Sequence, residues 1–78
     1  MFTNAEISEM FRMGTLNGKQ IERGKILKSH NRHAQFSKCV VTVNREYYEI
    51  TQTFPYKENA KSNKHSPEIT VYYEIKPL

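Results

Sequence analysis

The sequence predicts an α+β domain, with a single N-terminal helix packed on one face of a three- or four-stranded, mostly antiparallel sheet. Three observations carry this. A capped amphipathic stretch opens the chain, strict period-two alternation fills most of residues 35–76, and two-residue turn signals separate the alternating runs. With 78 residues the chain makes one domain, 1–78. Its core must be small, because a chain this short buries only about 60–65 % of its unfolded surface.

The helix has both ends written into it. Thr3-Asn4-Ala5-Glu6 is a capping box, in which the Thr3 hydroxyl takes the Glu6 amide and the Glu6 carboxylate takes the Thr3 amide. Phe2 and Ile7 stand where a hydrophobic staple needs them. Ile7, Met10 and Phe11 follow at helical spacing, and Gly14 can end the helix in a left-handed conformation. So short a helix is marginal alone and must dock on a sheet.

Asn17-Gly18 predicts a tight turn. Gln20–Lys28 reads as a strand with a bulge at Gly24, although Ile21, Glu22, Lys25 and Lys28 also fit a short basic helix. Ser29–Ala34 reads as loop. Gln35–Val43 and Glu46–Phe54 are alternating strands, with Asn44-Arg45 between them at hairpin length. Lys57–Pro67 is polar and expected to be a mobile loop. Glu68–Lys76 is the last strand, stopped by Pro77.

Tyr-Tyr-Glu-Ile occurs at Tyr47–Ile50 and again at Tyr72–Ile75, and the echo sets the register of both strands. Alternation then puts Tyr48, Ile50 and Phe54 on the helix side with Cys39, Val41, Val43, Ile69, Val71, Tyr73 and Ile75. The other face carries Lys38, Val40, Thr42, Tyr47, Glu49, Thr51, Thr53, Thr70, Tyr72, Glu74 and Lys76, with no second element to cover it.

All eight acids are Glu, so sites that require Asp are excluded, among them EF-hand loops and Ser-His-Asp triads. One cysteine excludes an internal disulfide framework. No run approaches the roughly 18 apolar residues of a membrane span, and Met1–Glu9 lacks a signal-peptide core, so a cytoplasmic protein without membrane attachment is expected. Gly14–Lys19 has too few residues between its glycines for a phosphate loop, and Gln20 stands where a Ser or Thr should hold magnesium. His30, His33, Cys39 and His65 are zinc-ligand types at no standard spacing, and Cys39 is expected to face the core. Cys39 beside His33 makes a poor nucleophile for the same reason. Glu46, Glu49, Glu68 and Glu74 are surface strand residues rather than a general acid–base pair. No catalytic residues, metal or cofactor are therefore expected, and the chain reads as a non-catalytic binding protein.

Charge gives the positive signal. Residues 19–38 hold six bases and one acid, net +5, against +4 for the whole chain. Such a stretch attracts polyanions over about a Debye length, ~8 Å in physiological salt. The expected function is nucleic-acid binding, with Lys19, Arg23, Lys25, Lys28, Arg32 and Lys38 on phosphates and Tyr47 and Tyr72 stacking on bases. The alternative is a protein-binding accessory or inhibitor, homodimeric or acting on a larger host or nucleoprotein complex, that uses the last strand as a sheet edge.

Overall fold

The computed structural model describes residues 1–61 and 69–78. Helix α1 (Asn4–Met13) starts at Thr3, where both capping-box bonds form: Thr3 N–H donates to Glu6 Oε1 at 2.9 Å and Glu6 N–H to Thr3 Oγ1 at 3.1 Å. It ends at Gly14, whose φ of +70° is costly for a residue with a Cβ. Phe2 packs edge-on against Tyr48, with ring centroids 5.3 Å apart.

Strands β1 (Thr15–Leu16) and β2 (Lys19–Gln20) then pair across the expected Asn17-Gly18 turn. The main sheet is antiparallel throughout. β5 (Ala34–Val43) and β6 (Glu46–Pro55) form its centre, joined by Asn44 and Arg45 at φ of 51° and 68°. β7 (Tyr72–Pro77) flanks β6, and β3 (Glu22–Arg23) and β4 (Leu27–His30) together flank β5. The α+β arrangement, with the N-terminal helix on one sheet face, is therefore the observed one. Five strand segments make four lanes.

The outer lane of β3 and β4 resolves the choice between strand and helix in favour of strand, and the bulge expected at Gly24 falls just after it, between Gly24 and Leu27. Arg23 stands opposite Val41 and Leu27 opposite Lys38, so the outer lane has one residue more than β5 over this interval. Gly24 N–H still donates to the Val40 carbonyl, at 2.7 Å.

Three boundaries differ from expectation. Ser29 and His30 lie in β4 and Ala34 in β5, because Asn31 makes the connection a tight turn: its side-chain oxygen accepts the His33 and Ala34 amides at 2.7 and 3.0 Å. Lys57 onwards, expected as loop, continues from Tyr56 in a short helix α2 (Tyr56–Lys61), and the rest of that expected loop lies outside the described residues. The last strand begins at Tyr72 and includes Pro77, and Ile69, expected in the core, is exposed. Pro77 is tolerated because its missing N–H would point away from β6.

Most of the core is the one that alternation predicts, but Phe54 and Val71, expected in it, are only half-buried and stand outside it with Ile69: Phe54 packs against Tyr56, and Val71 precedes the start of β7. Ile7, Met10 and Phe11 of α1 bury against Cys39, Val41, Val43 and Ile50, with Tyr48, Tyr73 and Ile75 packed around them. Burying each of the larger side chains contributes about 1.5–3 kcal/mol.

Candidate nucleic-acid interface

The basic stretch becomes a rim rather than a face. Residues directly opposite in an antiparallel ladder share a side of the sheet. Arg23 is opposite buried Val41 and so points to the helix side, where its guanidinium donates to the Phe11 and Arg12 carbonyls at 2.8 and 3.3 Å. It thereby caps the C-terminus of α1, satisfying carbonyls that the helix leaves open and complementing its dipole.

Lys28, opposite Ser37, also lies on the helix side, beside a shallow hollow lined by Phe11, Ile26 and Phe54. Lys38 projects from the other face, next to Glu49, Glu74 and Lys76. Lys19 sits on the small hairpin, Lys25 in the bulge and Arg32 in the Asn31 turn, all exposed. Five bases thus line the outer lane and its two flanking turns, with Glu22 as the single acid among them. Within their strands, β6 and β7 instead hold Glu46, Glu49 and Glu74 against Lys76, so positive charge falls away across the sheet.

Tyr47 and Tyr72 do share the open face, at 60 % and 50 % exposure. The register separates them. Tyr72 is opposite Thr53, six residues along β6 from Tyr47, or about 20 Å. Glu49 and Glu74 lie between them, with Glu49 bridged to Lys76 at 3.4 Å. Tyr72 is also engaged: its hydroxyl donates to Glu58 Oε2 of α2 at 2.7 Å, and this bond raises its pKa above the ordinary tyrosine value. The two tyrosines and the outer-lane bases do not form one contiguous surface.

Two devices that support this arrangement were not evident in the sequence. Glu9 of α1 holds the Asn17-Gly18 turn, accepting from Thr15 Oγ1 at 2.6 Å, Gly18 N–H at 2.8 Å and Asn17 N–H at 3.1 Å. These bonds lower its pKa below the usual carboxylate range. Asn59 of α2 donates to the Pro55 and Thr70 carbonyls and accepts the Thr70 amide, tying α2 to the approach to β7. Glu9 lies on the polar side of α1 and Asn59 in a polar stretch, and helical periodicity marks buried positions, not the partners of exposed polar ones.

Cys39 is buried, and burial pushes its thiol up, with the Arg23 charge pulling the other way. His30 is in β4 and His33 in the Asn31 turn, both exposed, while His65 and Glu68 lie outside the described residues. Among the described residues no three His, Cys, Asp or Glu side chains group at metal-binding range, and no helix is long and apolar enough to cross a membrane. No protein-family model matches the chain, and no characterised protein or solved structure shows significant similarity to it.

Proposed function

We propose that the chain binds nucleic acid through the sugar-phosphate backbone, along the rim formed by β3, β4 and their flanking turns. The observation that carries this reading is the segregation of Lys19, Arg23, Lys25, Lys28 and Arg32 along one sheet edge and its two flanking turns, with a single acid among them. Long flexible bases on an exposed edge suit phosphates, which fix position without reading sequence. Glu49 and Glu74 repel phosphates from the face bearing Tyr47 and Tyr72, so base stacking there contributes less than the rim. Arg23 contributes less than its neighbours because its guanidinium is committed to α1.

Titration of labelled single-stranded and duplex oligonucleotides tests this. Affinity should fall on the order of tenfold or more between about 50 and about 200 mM salt, as each phosphate contact releases counterion. Joint replacement Lys25→Glu, Lys28→Glu and Arg32→Glu should abolish binding, while Tyr47→Ala should change it by less than about twofold, far under the 1–3 kcal/mol of a stacked base. Absence of binding at the lower salt, or equal binding by the triple variant, would overturn the proposal. A protein-binding reading draws its support from the opposite edge, where no lane lies beyond β7 among the described residues.

A further inference from the structure

We infer that a second copy of this chain adds to the β7 edge, antiparallel, in a register centred on Ile75. The inference stands apart from the nucleic-acid reading, because it uses the other edge of the sheet.

The backbone sets which groups are available. Leu78 N–H donates to the Tyr47 carbonyl at 2.9 Å, so residue 78 turns its N–H toward β6. Bonded and non-bonded pairs alternate along an antiparallel ladder. Lys76, Glu74 and Tyr72 therefore bond to Glu49, Thr51 and Thr53, while Tyr73 and Ile75 turn their N–H and C=O groups outward. Pro77 belongs to the outward set and offers only its carbonyl. With the two-fold axis through Ile75, each Ile75 exchanges bonds with its counterpart, and each Tyr73 N–H reaches the Pro77 carbonyl of the second copy.

The side chains select this register. It places Glu74 opposite Lys76 of the second copy twice over, once on each side of the axis. It also places Tyr72 opposite Leu78, which are 50 % and 68 % exposed in the single chain. Centring the axis on Glu74 or on Lys76 instead sets like charges face to face, which destabilises a strand pair. Centring it on Tyr73 leaves both charges opposite uncharged residues. The edge of β3 and β4 has no such complementarity: it is bulged and carries bases in excess with Glu22 as their one acid, features that discourage edge-to-edge pairing.

Sedimentation equilibrium on the full chain, free of nucleic acid, tests the inference. The expected mass is twice 9.2 kDa. Glu74→Lys replaces two attractive pairs by two repulsive ones and should weaken the dimer roughly tenfold or more. The swap of Glu74→Lys with Lys76→Glu should restore it, since the opposed charges return in reversed order. Circular dichroism confirms that each variant is folded, which matters most for the swap, since Lys76→Glu turns the Glu49–Lys76 bridge into a like-charge pair within each chain, exposed on the residue-76 side and so weak. A monomer at every concentration, a Glu74→Lys dimer as tight as the parent, or a swap that fails to recover the dimer would each overturn the proposal.

Discussion

At the β7 edge every second side chain turns inward: Tyr73 meets Phe11 with ring centroids 5.7 Å apart and accepts from Gln52 Nε2 at 2.9 Å, and Ile75 packs on the core beside it. At the opposite edge all six residues of β3 and β4 are exposed. That outer lane is attached by its backbone ladder to β5, by partly buried Ile21 and Ile26 in the connections, and by the Arg23 guanidinium on the end of α1. One edge is thus fastened by side chains and the other largely by main chain. A main-chain attachment leaves the side chains of the outer lane unconstrained by packing, so they can carry charge at little cost to the fold.

The largest expected effect follows from that contrast. Tyr73→Ala should destabilise the domain by about 2–3 kcal/mol, below the range for a fully buried aromatic because the side chain is only partly buried. Lys28→Ala, in the outer lane, should stay within about 0.5 kcal/mol of the parent. Urea denaturation of the two variants measures both. Equal losses would mean that the outer lane is fastened by its side chains after all.

A smaller and more local effect concerns the turn that leads into the basic edge. Hydrogen bonds from Thr15, Gly18 and Asn17 hold Glu9 below its ordinary pKa of 4.5, and bonds from Thr3 and Asn17 do the same for Glu6. A carboxylate with a lowered folded pKa stabilises the fold fully above its unfolded value, and that contribution fades as pH falls through the folded one. Amide exchange at Asn17 and Gly18 should therefore show constant protection from pH 7 down to about 5, after correction for intrinsic rate, and lose it below about 4.5. Residues of β7 should show no parallel change. Glu9→Gln should flatten the profile, and an unchanged profile would remove Glu9 from this role.

The same contrast explains how much was legible in the sequence. The core and register of β5, β6 and most of β7 follow from alternation, because burying one face makes period two visible. The capping box, both two-residue turns and, to within a residue or two, the bulge beside Gly24 were legible as local chemistry. The end of β4 at Ser29 and His30 and its tight turn into β5 were read as loop because the four residues of β4 are all exposed, which leaves no apolar period to read. Helix α2 was missed for a related reason: it is short and polar and depends on Asn59, whose partner Thr70 is far along the chain. The candidate site was half legible. The basic segment could be counted, but not that register would turn Arg23 toward α1, or that acids would lie between Tyr47 and Tyr72.

The smallest expected effect sits at the bulge. A Cβ on Gly24 would lie 3.3 Å from the Val40 carbonyl oxygen, which already accepts the Gly24 amide at 2.7 Å. Alanine would restrict the unfolded chain, a gain of about 0.4–1 kcal/mol where the native conformation suits it. The φ of Gly24 is not in the left-handed region, so backbone strain does not oppose the change. The contact does: Val40 is in a central strand held by lanes on both sides, so its carbonyl has little room to retreat. The two terms nearly cancel, and Gly24→Ala should destabilise by less than about 1 kcal/mol in the same urea assay. A variant more stable than the parent would show that the bulge is slack. A loss above about 2 kcal/mol would show that the outer lane depends on the close approach at Gly24 more than on the rest of its ladder.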